Sequence, residues 1–179
     1  MTRAVVFTED SPTVKGDESD TLVEYYGGNF LPAKKTYEQL DDICDTDLYV
    51  VSGGFKDGVE NGDVTAGDVI GEGDHDEDAL SSLAAKTMLD EIAAADIVVI
   101  LFSSDLFEGT VTQRWNELTE RARGGSVWCL GAPRSLLAEL SLTRLEDKGC
   151  TVITYERVGV ARIDTETRDD LISATKEMV

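Results

Sequence analysis

Residues 95–105 read ADIVVILFSSD, and this stretch decides the predicted fold. Ile97–Phe102 is an uninterrupted apolar run that ends at two serines and an aspartate. A run of this length without polar alternation is typical of a central strand in a parallel sheet, because helices cover both faces of such a sheet. The stretch therefore predicts an α/β protein.

Similar runs recur along the chain. Strands are predicted at Ala4–Phe7, Leu48–Val51, Ile97–Phe102 and Thr151–Tyr155, with a weaker one at Ser126–Leu130. Helical patterns separate them, at Pro32–Ile43, Ala79–Ala94, Val111–Arg123, Ser135–Lys148 and Thr165–Met178. Because strands alternate with helices, we predict a single α/β domain over residues 1–179. It is a doubly wound, Rossmann-like or flavodoxin-like fold with a mainly parallel sheet of about five strands.

Residues 53–78 interrupt this alternation with a long acidic segment rich in Gly, Asp and Glu. A connection of this length in a small domain is typically a lid, a binding loop or a mobile insert. A calcium loop that starts at Asp57 would need an oxygen-bearing side chain in place of Val59 and a bidentate Glu in place of Asp68, so the segment does not fit one. We predict a solvated acidic loop, and neither a metal ion nor another cofactor.

The chain is strongly acidic, with a net charge of −20 from 36 Asp and Glu residues against 16 Lys and Arg. The carboxylates are dispersed, and salt at 1 M would screen their repulsion within about 3 Å. This pattern predicts a halophilic protein of archaeal type, and an acidic mesophilic protein or a nucleic-acid mimic is the alternative. The charge disfavours nucleic acid as a partner, since no basic stretch with interleaved aromatic residues occurs.

The sequence contains neither an apolar run of about 18 residues nor a secretory signal pattern, so we expect a cytoplasmic protein without a membrane partner. Cys44, Cys129 and Cys150 are isolated, which predicts free thiols and no zinc site or disulfide. The apolar pattern of the last helix is too short to decide whether the protein forms a homo-oligomer.

Small or polar residues follow every predicted strand, from Thr8-Glu9-Asp10 after the first to Glu156-Arg157 after the last. Ligands of open α/β sheets bind at the carboxyl ends of the strands, near the reversal of strand order. The predicted ligand-binding residues are Ser52, Gly53, Gly54, Ser103, Ser104, Arg134 and Tyr26. For any single turn, ordinary capping is the alternative explanation.

The predicted ligand is a nucleotide-like or other small anionic molecule, with hydrolysis as the candidate reaction. Arg134 is predicted to bind the anion, and Asp105 or Glu9 to act as the general base. Tyr26 would stack on a base or sugar, or else pack in the core. A non-catalytic protein-interaction module of a stress or defence system is the alternative function. Dinucleotide and P-loop motifs are absent from the sequence.

Two stretches resemble known families. EYYGGNFLPAKKTYEQL followed by DLYVVSGGFKDGV is similar to the uncharacterised, peroxide-stress-protein-like α/β domains, through Tyr26, Phe30, Ala33 and Ser52. This resemblance implies the fold more than an activity. ADIVVILFSSD followed by EGTVTQRWNELTERARGGSVWCLG resembles the nucleoside deoxyribosyltransferases and their nucleotide-hydrolase relatives. Gln113 stands where that family has a catalytic glutamate, so the second resemblance implies a similar pocket without glycosyl transfer.

Overall fold

A computed structural model of the protein describes residues 1–159 and 161–179. Its strands are β1 (Arg3–Glu9), β2 (Asp45–Val51), β3 (Val59–Asn61), β4 (Ile97–Leu101), β5 (Val127–Ala132) and β6 (Thr151–Glu156). Its helices are α1 (Leu22–Tyr25), α2 (Leu31–Asp41), α3 (Ala66–Val69), α4 (Glu77–Ile92), α5 (Ser104–Phe107), α6 (Trp115–Arg121), α7 (Arg134–Ala138), α8 (Thr143–Glu146) and α9 (Thr165–Met178). A 3₁₀ turn lies at Gly28–Phe30 and a π-helical turn at Glu108–Thr112.

The strands form one sheet in the order β3-β2-β1-β4-β5-β6. All neighbouring strands are parallel except β2 and β3, which are antiparallel. The predicted α/β fold with a mainly parallel sheet is confirmed, and one more strand is present than the five expected. The chain first builds outward from β1 to β3 and then continues at β4 on the other side of β1, so the strand order reverses between β1 and β4.

Helices cover both faces of the sheet, and two apolar cores result. Val5 and Phe7 of β1 face the core under α4 and α6, whereas Ala4 and Val6 face the core under α2 and α9. All residues of β4 are buried. The lack of polar alternation in the sequence therefore follows from burial on both faces.

The acidic segment 53–78 is folded onto the edge of the sheet, unlike the loop expected from its composition. It contributes β3 and α3, and Phe55 in it is 1% exposed. Bridges join Phe55 to Ile70 and Thr65 to Thr21. The strand was missed because its three residues, Val-Glu-Asn, have no extended apolar pattern and lie at an edge of the sheet.

The predicted helix Thr165–Met178 agrees with α9, but two other helices differ from prediction. The pattern Ser135–Lys148 is divided into α7 and α8. The helical region predicted from Val111 begins earlier, with α5 and the π-helical turn. Thr110 belongs to the π-helical turn, where its hydroxyl donates to the carbonyl of Leu106 (2.6 Å).

The three cysteines are free thiols, of which Cys129 and Cys150 are buried and Cys44 is partly exposed. Burial raises the pKa of the Cys129 thiol to about 12, which keeps it protonated at neutral pH. Among residues 1–159 and 161–179, no helix has both the length and the apolar character needed to cross a bilayer.

Candidate functional site

A cleft of about 360 Å³ opens between the carboxyl ends of β1 and β4, where the strand order reverses. We call it the switch-point cleft. Its walls come from the connections that follow β1, β4 and β6 and from the 3₁₀ turn. The lining residues are Glu9, Asp10, Pro12, Asn29, Ser103, Ser104, Arg157, Gly159 and Arg162. Residues far apart in the sequence therefore meet at one edge of the sheet, as expected for parallel strands.

Glu9 is the last residue of β1, and its side chain contacts Ser103, which lies just beyond the end of β4. Glu9 Oε1 accepts two hydrogen bonds from Ser103, one from the backbone N–H and one from the hydroxyl (both 2.8 Å). Burial raises the pKa of Glu9, although the bonds from Ser103 and the charge of Arg162 oppose the rise. Because both bonds use Oε1, Oε2 is left to contact a ligand. A carboxylate in this position can accept a proton from a ligand or from a water molecule.

Arg162 is only 6% exposed and holds the end of β1 in place. Its Nη1 donates to Thr8 Oγ1 and to the carbonyl of Glu9 (both 2.6 Å). Its Nη2 donates to the carbonyl of Asp10 (2.6 Å) and to Asn29 Oδ1 (3.3 Å). Burial lowers the pKa of this guanidinium, but arginine remains charged at any physiological pH. Arg162 therefore places a positive charge beside Glu9 and fixes the cleft wall.

Arg157 follows β6 and forms the second cationic wall. Its Nη1 donates to the carbonyl of Phe102 (2.6 Å), and its Nη2 donates to Ser104 Oγ (3.4 Å). Burial lowers the pKa of Arg157, and the Glu9 carboxylate counteracts this effect. The side chain is partly exposed and keeps further N–H donors, so it can contact an anionic group in the cleft.

A second cavity, of about 230 Å³, adjoins the switch-point cleft on the side of β2. We call it the β2-side cavity. It shares Glu9, Asp10 and Ser103 with the switch-point cleft, and its other lining residues are Val51, Ser52, Gly53, Glu77, Leu80, Asp105 and Leu106. Ser52 Oγ donates to Asp10 Oδ2 (2.7 Å) and accepts the N–H of Gly54 (3.2 Å). The serine after β2 thus orients a carboxylate at the shared wall.

Most of the residues predicted from the sequence meet at these two cavities. Those that line one or both are Glu9, Ser52, Gly53, Ser103, Ser104 and Asp105. Gly54 lines neither cavity, and its carbonyl accepts hydrogen bonds from the N–H groups of Gly71 and Gly73. The carbonyl of Gly53 accepts the N–H of His75. The turn therefore attaches the acidic segment to the sheet.

Arg134 and Tyr26 are not brought to the cleft. Arg134 begins α7, is exposed and is not among the lining residues of either cavity. Tyr26 is 5% exposed, and its ring packs against Tyr25 and Phe30 at centroid distances of 5.0 and 5.3 Å. Burial raises the pKa of the Tyr26 hydroxyl. This placement favours the core-packing interpretation over a stacking platform for a ligand.

Sequence reasoning missed the two arginines that line the cleft. Arg157 had a usable signal, because it directly follows a strand, but the anion-binding role was assigned to Arg134. Arg162 had no usable signal in the sequence, since it lies in a loop and its hydrogen-bond partner Thr8 is 154 positions away.

Comparisons of the chain with protein-family models, with curated proteins and with solved structures found no match. The two family resemblances therefore remain predictions from the sequence. In the described part of the chain, no group of three or more His, Cys, Asp or Glu side chains is arranged to hold a metal ion. The functional argument thus depends on the cleft and its charges.

Proposed function

We propose that the protein binds a small anionic, nucleotide-like ligand in the switch-point cleft, in the cytoplasm of a halophilic, archaeal-type organism. One observation carries the binding proposal: Arg157 and Arg162 meet Glu9 at the reversal of strand order. This crevice is the usual ligand site of doubly wound sheets. A cavity of about 360 Å³ also lies within the range of about 300–1,000 Å³ that is common for small-molecule sites.

The cleft offers complementary contacts to such a ligand. Arg157 would donate to a phosphate or carboxylate, because its forked donors suit planar or tetrahedral anions. The carboxylates of Glu9 and Asp10 would accept hydrogen bonds from ligand hydroxyl groups. Arg162 uses its donors on the protein, so it contributes charge and rigidity more than direct contact.

For a hydrolysis, Glu9 is better suited than Asp105 to act as the general base. Glu9 is the more buried of the two, its pKa is raised, and it lies in the same cavity as Arg157. Asp105 is exposed and lines the β2-side cavity. Arg157 would stabilise negative charge that develops on the ligand. Loss of turnover with retained binding in Glu9→Gln would support this assignment, and unchanged turnover would contradict it.

Ligand binding can be tested by a thermal-shift screen in about 1 M KCl, a salt concentration that screens the repulsion of the acidic surface. The panel contains nucleosides, nucleotides and sugar phosphates. A ligand at about 100 times its Kd should stabilise the fold by about 2.7 kcal/mol. For a chain of this length, that corresponds to a rise of about 5–10 °C in Tm.

Two arginine variants locate the site. We expect Arg157→Ala to lose the ligand-induced shift and Arg134→Ala, which removes an equal charge from an exposed position outside the cleft, to keep it. A shift that persists in Arg157→Ala would place the ligand elsewhere. No shift with any member of the panel would refute the nucleotide-like ligand.

We propose a non-catalytic protein-interaction module as the second candidate, because Val158 is 97% exposed. It lies between Arg157 and Gly159, which both line the cleft, so an apolar side chain stands in solvent at the cleft rim. In this candidate, a protein partner would contact Val158 at the cleft rim. This candidate predicts that Val158→Asp abolishes partner binding while the ligand panel gives no shift, and a ligand shift unaffected by Val158→Asp would contradict it.

A further inference from the structure

Asn29 lines the switch-point cleft from a turn that is held on both sides. It lies in the 3₁₀ turn Gly28–Phe30, which leads directly into α2. Gly28 has a φ of 59°, a left-handed backbone conformation that glycine adopts without strain. On the other side, the ring of Phe30 is fully buried in the core. The backbone of Asn29 is therefore fixed by its neighbours, and its side chain has a defined place in the cleft wall.

The buried Arg162 decides which end of the Asn29 amide faces it. Arg162 Nη2 donates to Asn29 Oδ1 (3.3 Å). Because a guanidinium has donors and no acceptor, the amide oxygen must face Arg162, and the NH2 group must lie on the other side of the amide. Three shorter hydrogen bonds, each of 2.6 Å, hold the guanidinium in this position. The orientation of the amide thus follows from the chemistry of its partner.

The NH2 group of Asn29 is available to a ligand. Among residues 1–159 and 161–179, Nδ2 of Asn29 donates no hydrogen bond to the protein, and it is not closed off from solvent. Asn29 as a whole is partly exposed. An amide NH2 group carries two N–H donors. Asn29 therefore adds uncharged donors to a cleft in which Arg157 supplies charged ones.

The positive charge of the cleft is not neutralised by direct contact with a carboxylate. The chain has 36 Asp and Glu residues, yet within its described part neither Arg157 nor Arg162 forms a salt bridge. Burial is the main cause that lowers the pKa of Arg162, and the charge of Arg157 lowers it further. The two guanidinium groups are thus close enough to repel each other, and an anion bound at Arg157 would offset this repulsion.

We infer that Asn29 is a specificity-determining residue, whose NH2 group donates to a phosphate group of the ligand while Arg157 binds the same group. The oxygens of a phosphate point in tetrahedral directions, so one phosphate can accept from two side chains that belong to different elements. This inference rests on the proposed function, because it uses Arg157 as the anchor. It adds a second contact and assigns the anionic group to the phosphate class.

The first test is a titration of the ¹⁵N-labelled protein with inorganic phosphate in about 1 M KCl, followed by NMR. The side-chain NH2 signals of Asn29 are identified by their absence from the spectrum of Asn29→Asp. We expect one of these protons to shift downfield with phosphate in the wild type and to lose this shift in Arg157→Ala. The NH2 signals of Gln39 are the internal control, because Gln39 also belongs to α2 and does not line the cleft.

The second test compares the phosphate affinity and the stability of two Asn29 variants. Asn29→Asp keeps an acceptor for Arg162 but removes the donors, so its stability in urea should equal or exceed that of the wild type while the affinity falls about tenfold or more. Asn29→Ala should lose a similar part of the affinity without adding a charge. Repulsion by the new carboxylate is thereby separated from the loss of the donors.

The outcomes distinguish the inference from the proposed function. If phosphate shifts the backbone signal of Arg157 and leaves the NH2 signals of Asn29 unchanged, the role of Asn29 is overturned and the anionic site stands. Wild-type affinity in Asn29→Ala would also overturn the role of Asn29. An Asn29 shift that persists unchanged in Arg157→Ala would overturn the shared contact. If phosphate changes neither signal, the proposed anionic site fails, and the inference fails with it.

Discussion

Replacement of Arg162 by methionine tests whether this buried side chain holds the cleft together. Arg162 is 6% exposed, and its guanidinium donates four hydrogen bonds to residues of β1, the turn after β1 and the 3₁₀ turn. Methionine occupies a similar space and is flexible, so the substitution removes the donors while adding only a small packing defect. The loss of stability should therefore report the hydrogen bonds and the charge.

The magnitude follows from opposing effects. A hydrogen bond from a charged donor contributes about 1.5–3 kcal/mol, and three of the four bonds of Arg162 are 2.6 Å long. Burial of the guanidinium offsets part of this sum, as the lowered pKa of Arg162 indicates. Removal of the guanidinium leaves its neutral acceptors without a donor, which costs about 1–3 kcal/mol for each buried group. We therefore expect the free energy of unfolding to fall by about 3 kcal/mol or more.

The assay is urea unfolding in about 1 M KCl, followed by tryptophan fluorescence. Trp115 and Trp128 are buried, so their emission reports the native state. Arg134→Met is the control, because Arg134 is exposed and should change stability by less than about 0.5 kcal/mol. A loss of less than about 1 kcal/mol in Arg162→Met would refute the role of Arg162 as a structural clamp.

Three further predictions concern single residues. The pKa of Glu9 is raised above its ordinary value of 4.5, so ionisation of Glu9 destabilises the fold as the pH rises through the raised pKa. At neutral pH, Glu9→Gln should therefore unfold at a higher urea concentration than the wild type, and below pH 4.5 this gain should vanish. A gain that does not depend on pH would contradict this prediction. Gly73→Ala would place a Cβ atom in steric conflict with the carbonyl oxygen of Phe55, so we expect a fall in Tm equivalent to at least about 1–3 kcal/mol, and an unchanged Tm would contradict the contact. Iodoacetamide should label the partly exposed Cys44 before Cys129, because the Cys129 thiol is buried and its pKa is about 12. If mass spectrometry finds Cys129 labelled first in the native protein, the burial of Cys129 is contradicted.

Local sequence patterns were sufficient for the central strands and the last helix. Ile97–Leu101 is buried on both faces of the sheet, which is the environment that its continuous apolar run predicts. Asp164 precedes α9 and caps it, since its side chain accepts the N–H of Thr167. Both features depend on residues that are close in the sequence, so their signals are local.

The candidate site was predictable only in part. The residues that follow β1, β2 and β4 could be named from the sequence, because a buried strand that ends at Ser, Glu or Asp marks the carboxyl edge of the sheet. The cationic partner was assigned to Arg134, which is the first residue of α7, whereas Arg157 and Arg162 line the cleft. A charged residue in a loop shows no periodicity, so its neighbours cannot be inferred from the adjacent residues.

The sequence by itself determined the α/β class, the central strands and the acidic surface, because burial and charge are properties of each segment. Only the tertiary structure decided the strand order, the position of the cleft between β1 and β4, and the contact of Arg162 with Thr8 across 154 positions. Strand pairing is a contact between distant segments, and several pairings bury the same apolar runs equally well. The edge at which Glu9 meets Arg157 is therefore a consequence of topology.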